Sequence, residues 1–431
     1  MLFEVLARLA LHFEILPAYA WNLNSVPVPL SQVNTVQAIW TMSKQDVSDQ
    51  QYDDFFKFKT KRRHGEQLYK LHFAADAPIE LKGLFYVAEM HDEAFGLGRQ
   101  SPGVDLYSRK VLIEPESRVL PEWLRFVHGV VDSEDIPLHI SRESMQDTAM
   151  MMRIKSVLTR RILRFLEQEM RRDRKKYQGF FQEYGNFLKE GICSDASYQS
   201  DIAKLMLFES SALPAGELTT LDEYISRARP GQEKIIYLVS PHRGLAESSP
   251  YMEAFRGSAE NDFQDTEVLY AYASLDDFVF NNLARYNGRE LVTAESGDVG
   301  LPTKPAKESG KDGEKVEQSS DASGTPDKLT NAQVGELGLW LMQTALPSKL
   351  KEVKASTRLR STPAVVVDHE SASVRRMMRM MDQSRARDGE SPKSEEHMLP
   401  KQTLEVNPAH PIVRKLWTMR VEQPEIASSV A

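Results

Sequence analysis

The stretch Val119–Asp147, VLPEWLRFVHGVVDSEDIPLHISRESMQD, decides how this chain is read. An apolar run (Trp123, Leu124, Phe126, Val127, Val130, Val131) gives way to an acidic turn, Asp132-Ser133-Glu134-Asp135. Ile136-Pro137-Leu138-His139-Ile140 then alternates apolar and polar, as an extended segment does. Pro137 forbids a helix through that point. Ser144 with Asp147 three residues later forms a capping pair that opens a long helix. Arg142 and Glu143 therefore sit on an exposed loop just ahead of a helix N-terminus. An arginine there is placed to reach an anionic group outside its own domain. A surface arginine paired with a neighbouring acid accounts for the same residues and, on chemistry alone, is the plainer reading.

Upstream, Asn34–Trp40 reads as a strand or extended lead-in. Ser48-Asp49-Gln50-Gln51 caps a short helix carrying Tyr52, Phe55, Phe56 and Phe58. Three strands are expected, at Gln67–Phe73, Ile79–Val87 and Asp105–Ile113. Gly96-Leu97-Gly98 is no dinucleotide fingerprint, because the third glycine and the following helix pattern are missing. Downstream, one long helix is expected over Ser144–Glu190, with Ile154, Val157, Leu158, Ile162, Phe165, Leu166 and Met170 at helical spacing. Its other face is basic, from Arg153 and Arg160 to Lys175 and Lys176. That face suits either a polyanion or plain solvent, and solvent is the simpler account. Phe180, Phe181, Tyr184 and Phe187 suit a core better than a base-stacking platform.

From Ile235 the period changes. Strands at Ile235–Val239 and Glu267–Tyr272 alternate with helices at Ser249–Phe255 and Asp276–Tyr286, a βαβ pattern that calls for a parallel sheet. Residues 297–328 are rich in glycine, serine, lysine and acids without an aromatic, the composition of a disordered insert. A helix then carries Leu337, Leu339, Trp340 and Leu341. Strands follow at Val353–Leu359 and Ala364–Val367, then a methionine-rich helix at Val374–Met381 and a last helix at Ile412–Val421.

Length and composition set the frame. The 431 residues suffice for two or three domains. A formal net charge of −8 argues against a dedicated nucleic-acid binder. The single cysteine, Cys193, excludes an internal disulfide. No apolar run reaches membrane-spanning length. Residues 1–33 lack the pattern of a secretory signal and the arginine-rich, acid-poor pattern of a mitochondrial presequence, and read as an unrelated leader. The sequence holds no HExxH, no zinc-type cysteine spacing, no GxSxG and no phosphate-binding GxxxxGK[ST]. No metal site is expected.

Gly129–Gln146, GVVDSEDIPLHISRESMQ, closely resembles the middle-domain catalytic loop of the ninety-kilodalton heat-shock chaperones. Further segments match in the same order: Ala38-Ile39-Trp40; Leu106–Ile113, LYSRKVLI; Glu209–Pro214, ESSALP; and Thr403–Pro411, TLEVNPAHP. The likeness covers about residues 34–425 and is nearest to the mitochondrial branch. It implies a fold class of α/β and α+β. Two α/β layers joined by helices, a ribosomal protein S5 domain 2-like middle domain over 34–296, would precede an α+β C-terminal domain over 329–431. It also implies roles. In the family a middle-domain arginine reaches the γ-phosphate of ATP held with Mg in a separate N-terminal domain; here that residue is Arg142, with Gln146 as its polar companion. A guanidinium brought in this way neutralises charge on the transferred phosphoryl group.

The departures shape the expectation further. Only 33 unrelated residues stand where the nucleotide-binding domain belongs, so ATP and Mg are not expected to bind this chain alone. The chain stops before the helices of the family's dimer bundle. His139 and Ser144 replace an asparagine and a larger apolar residue of the family pattern. The implied function is a molecular chaperone fragment that binds non-native client proteins and co-chaperones, in mitochondria or cytoplasm. The alternative is a non-enzymatic scaffold or decoy; a nucleic-acid module on the basic helix is a third reading. No membrane partner is expected, and the homodimer is a property of the family.

Overall fold

The computed structural model describes residues 38–61, 65–76, 79–91, 93, 98–99, 101–136, 149–256, 266–299, 328–347, 349–369, 374–375, 378 and 401–430. The segment 137–148, with Arg142, Gln146 and the Ser144–Asp147 pair, lies outside them, as do 300–327 and most of Val374–Met381. Two compact units are present, Met1–Phe165 and Leu166–Ala431.

In the first unit a 3-10 turn, Ile39–Thr41, leads to helix α1, Asp49–Lys59. Ser48 and Gln51 form a full capping box: each side chain accepts the other's backbone N–H. Lys57 and Lys59 in the last turn suit the negative end of the helix dipole. Tyr52 and Phe56, four residues apart, turn inward, whereas Phe58 is exposed. Five strands follow: β1 Gln67–Ala75, β2 Leu81–Ala88, β3 Gly103–Ser108, β4 Val111–Glu114 and β5 Val127–Asp132. They form one sheet in the order β1-β2-β5-β3-β4, with β5 antiparallel to β2 and parallel to β3. Leu84, Tyr86, Ala88 and Val130 from the sheet pack on Trp40, Tyr52 and Phe56.

Two expectations need correction here. Asp105–Ile113 is not one strand. It folds back as the β3–β4 hairpin through Arg109 and Lys110, whose φ angles are 49° and 66°. Two consecutive left-handed residues make the turn that matches strand twist, and glycine or asparagine normally signals it. With arginine and lysine in those places the sequence gives no such cue. Second, Val127–Asp132, read only as an apolar run, is the central strand. Buried on both faces, it shows no alternation.

The helix expected over Ser144–Glu190 is two: α2 Ala149–Arg172 and α3 Arg174–Ser194. Asp173 breaks it with an extended backbone and caps α3 by accepting from Lys176 N. Phe180, Tyr184 and Phe187 are buried, as core aromatics should be.

In the second unit α4 Gln199–Ala203, β6 Glu209–Ser210, α5 Leu221–Arg227, β7 Lys234–Val239, α6 Arg243–Ser248, β8 Leu269–Ala271, α7 Ser274–Leu283, β9 Arg285–Tyr286 and β10 Arg289–Thr293 follow in order. Their sheet runs β6-β8-β7-β10-β9, with β7 parallel to both β8 and β10, so the βαβ reading holds. Its helices differ from the expected ones. Ser249–Phe255 is a 3-10 turn, Pro250–Ala254, that follows α6. The helix read as Asp276–Tyr286 ends at Leu283, because Ala284 turns left-handed and starts a hairpin. Residues 297–299 are placed: Val299 is buried beside Ile236, Val268 and Ala294.

The remaining part is α+β. Helix α8 Asn331–Trp340 precedes β11 Leu350–Ala355, β12 Ala364–Val367 and β13 Gln402–Val406, and the chain closes with α9 Pro411–Glu422 and α10 Pro424–Val430. The sheet order is β11-β13-β12. The strand expected at Val353–Leu359 ends at Ala355, since the Ser356 hydroxyl accepts the N–H groups of Arg358 and Leu359 and turns the chain. Among the described residues no helix is long and apolar enough to cross a membrane.

Candidate functional site

Arg142 and Gln146 lie outside the described residues, but the chain that delivers them is described up to Ile136. That root is built at the end of β5. The sheet pairs Tyr107 of β3 with Asp132 of β5, which sets the acidic turn beside the β3–β4 hairpin. Asp132 is 5% exposed. Its Oδ2 accepts the indole N–H of Trp40 at 3.2 Å and the backbone N–H of Lys110 at 3.0 Å. Ser133 N donates to the Tyr107 carbonyl at 3.1 Å. Asp135 Oδ2 accepts from Glu80 N at 3.0 Å. Lys82 bridges Glu80 and Glu134 at 2.9 and 3.4 Å. Ser108 Oγ, itself buried, donates to the Ile136 carbonyl at 2.6 Å. Every residue of the acidic turn is thus tied down before the chain leaves toward Arg142.

Apolar packing backs these bonds. The Trp40 ring lies 4.9 Å from Tyr107 and 5.8 Å from Phe55, centroid to centroid. Below it, His72 bonds to Tyr52 Oη through Nδ1 at 2.7 Å and approaches the Trp40 carbonyl through Nε2 at 3.4 Å. Burial lowers the His72 pKa, which keeps the ring neutral between those two partners. A pocket of about 190 Å³ opens at the root, lined by Thr41, Glu80, Lys82, Arg109, Lys110, Asp132 and Glu134.

The second unit holds a different polar cluster, between the 3-10 turn Pro250–Ala254 and the sheet of β11–β13. Glu253 accepts from Arg360 N, Ser361 N, Ser361 Oγ and Thr362 Oγ1 at 2.6, 3.1, 2.6 and 2.6 Å. Burial pushes the Glu253 carboxyl up, but these four donors outweigh it and hold the pKa at about 2. Arg358 pairs with Glu405 at 2.9 Å, both largely buried, and donates to the Ser296 carbonyl at 2.8 Å. Tyr251 donates to the Val366 carbonyl at 2.6 Å and meets His369 at 2.9 Å. Burial raises the pKa of nearby Glu295, against the pull of His369 and Arg375.

The basic face of α2 and α3 is partly neutralised. Arg171, Arg172 and Arg174 pair with Glu167, Glu169 and Glu223. Among the described residues no three His, Cys, Asp or Glu side chains gather as a metal site. Sequence reasoning singled out Arg142 and Gln146, which lie outside the described residues, and missed Trp40 as a partner of Asp132, 92 residues away. The one cue available was an aspartate ending an apolar strand, where an unpaired carboxylate would be costly.

The fold defines a modular α/β protein in which a central strand, a tethered acidic turn and a long helix flank an arginine-bearing segment. The family model described as Hsp90 protein matches residues 24–430. The mitochondrial TNF receptor-associated protein 1 homolog of Dictyostelium discoideum is 36% identical over 415 residues, 95% of this chain and 54% of that protein. Chaperone protein HtpG of Desulfitobacterium hafniense is 37% identical over 412 residues, 94% of this chain and 62% of that protein. The mitochondrial heat shock protein 75 kDa of Rattus norvegicus is 38% identical over 412 residues, 94% and 55% respectively. This chain belongs to the Hsp90 family of molecular chaperones. It spans between 54% and 62% of the length of these relatives.

Proposed function

We propose that this chain is the middle and C-terminal part of an Hsp90-type machine that folds non-native client proteins in an ATP-driven cycle. Arg142, with Gln146 beside it, reaches the γ-phosphate of ATP and Mg held by a nucleotide-binding domain, and no nucleotide binds to residues 34–431 alone. The S5-like middle domain covers 34–296 and the C-terminal domain 329–431. The observation that carries this reading is the root at Asp132–Ile136, where each residue is fixed by a hydrogen bond or ion pair. A loop that must present one guanidinium to another domain gains from such preorganised support. Clients meet exposed apolar side chains such as Ile412, Val421, Ile426 and Val430, which sit close together in sequence on the last two helices. Co-chaperones and a second copy of the chain are further partners in this reading. The compartment is the mitochondrion, in keeping with the two relatives named for it.

The test adds this chain to the nucleotide-binding domain of a mitochondrial relative and follows ATP hydrolysis. Arg142→Ala should remove the stimulation by roughly tenfold or more, the scale on which transition-state charge stabilisation acts. An unchanged rate would sink the role.

A further inference from the structure

We infer that Ser361 is a phosphorylation site for an arginine-directed serine/threonine kinase, and that a phosphate there opens the Glu253 clamp. The inference stands apart from the reading of Arg142. Ser361 lies in the bend between β11 and β12 and is exposed. The sequence before it reads Arg358-Leu359-Arg360, with guanidinium groups three residues and one residue ahead of the hydroxyl. Kinases of that class hold such arginines in acidic pockets, so the charge pattern of the substrate sets their choice. The structure adds what the motif lacks. The Ser361 hydroxyl donates to Glu253 Oε1 at 2.6 Å, and the Thr362 hydroxyl donates to the same oxygen at 2.6 Å. Glu253 Oε2 takes the Arg360 and Ser361 amides at 2.6 and 3.1 Å. The atom to be modified is thus one of the four donors that tie this bend to the turn Pro250–Ala254.

The step is a phosphoryl transfer. Ser361 Oγ attacks the γ-phosphorus of ATP held by the kinase, the hydroxyl proton passes to the kinase's base, and ADP leaves. The product has no O–H to donate and carries about −1.5 to −2 charges at neutral pH. It then faces a carboxylate that stays ionised, and the two repel. Arg360, exposed and adjacent in sequence, offers the phosphate a guanidinium in place of Glu253. The bend keeps its other anchors. Asn407 Nδ2 donates to the Arg360 and Thr362 carbonyls at 3.0 and 3.2 Å, and Asn407 N donates to the Pro363 carbonyl at 2.8 Å. The bend therefore stays on its own sheet while the turn Pro250–Ala254 is released. Arg358 is buried against Glu405 at 2.9 Å, so a kinase reads it only after the segment loosens. Access and effect are coupled: the open clamp is the substrate, and the phosphate keeps it open.

The experiment uses the full chain, ATP with Mg, and the catalytic domain of a calmodulin-dependent kinase, which selects arginine three residues before its target. Peptide mass mapping should place a phosphate on Ser361, and Ser361→Ala should lose it. Glu253→Gln, which weakens the clamp, should raise the initial rate roughly tenfold, the scale of a hydrogen bond to a charged group. A second chain carries phosphoserine built in at position 361. Its Arg360 and Ser361 amides should exchange roughly tenfold faster than in the parent, while Asn407 and β13 residues 402–406 keep their protection. Ser361→Ala, which loses the donor without gaining charge, should quicken them less. No phosphate on Ser361 in either the parent or Glu253→Gln would overturn the site. Equal rates in those two chains would overturn the coupling of access to the clamp. Phosphoserine that quickens Arg360 and Ser361 no more than Ser361→Ala does would overturn the switch. So would an equal loss of protection in β13, which reports unfolding of the sheet instead.

Discussion

The root at Asp132–Ile136 and the clamp at Glu253 solve the same problem, fixing an irregular segment at the edge of a sheet, with opposite means. At the root a buried carboxylate takes two donors, and aromatic rings cover it. At the clamp a half-exposed carboxylate takes four donors, over a small apolar patch of Tyr251, Leu359, Val365 and Val367. A buried tether is little screened by salt because water does not compete for it, and it fails abruptly when one partner is lost. An exposed one is weakened by screening and gives way gradually.

Four measurements bear on that contrast. The largest effect is expected where the root depends on strand pairing. Gly129 in β5 has φ +146°, and a Cβ there would lie 2.1 Å from the Leu84 carbonyl. Gly129→Ala should destabilise the first unit by about 4 kcal/mol or more in urea titration, because backbone cannot move aside as a side chain can. A loss under 1 kcal/mol would show that the central pairing is slack. Next comes Arg358→Ala, which strands the Glu405 carboxylate in a buried site. The second unit should lose about 3–5 kcal/mol, and Glu405→Gln in the same chain should restore part of it.

Smaller is Glu253→Gln, expected to cost about 1–2 kcal/mol once solvent screening of a half-exposed group is allowed for. The clamp also predicts a pH dependence. The Glu253 carboxyl has a pKa near 2 in the fold against 4.5 when unfolded. Its contribution is therefore complete above pH 4.5 and fades as pH falls from there toward 2. Acid titration of the parent and Glu253→Gln should converge over that window. The least effect belongs to His72. Its pKa is lowered by burial, so the unfolded state takes up the proton first and stability drops as pH falls below about 6.5. A His72→Asn chain should lose that slope between pH 6.5 and 5, and a slope that remains would place its source elsewhere.

The sequence carried the elements whose cues are local. Ser48 and Gln51 announced α1, and the apolar runs at Ile235–Val239 and Glu267–Tyr272 announced a parallel sheet. It failed where the cue depends on a partner far along the chain. Asp105–Ile113 has the composition of a strand throughout, and the turn at Arg109-Lys110 is closed by the β3–β4 pairing and by the Asp132 carboxylate, which accepts from Lys110 N. Asp173 looked like one more polar residue on a helix, yet its side chain caps α3 and ends α2. The arginine loop itself was legible as a motif, through Gly129–Gln146, while the geometry of Arg142 and Gln146 falls outside the described residues.

What the sequence determined by itself is membership of the family and the α/β then α+β order of the chain. Capping pairs, hydrophobic periods and a contiguous motif are all written within a few residues of one another. What the tertiary structure decided is the company Asp132 keeps. Its donors come from residues 22 and 92 positions away, and only the pairing of β3 with β5 and the burial of Trp40 bring them to one oxygen. An aspartate at the end of an apolar strand demands partners, because burying a charge without them is costly. Which partners answer is settled by the packing of the sheet.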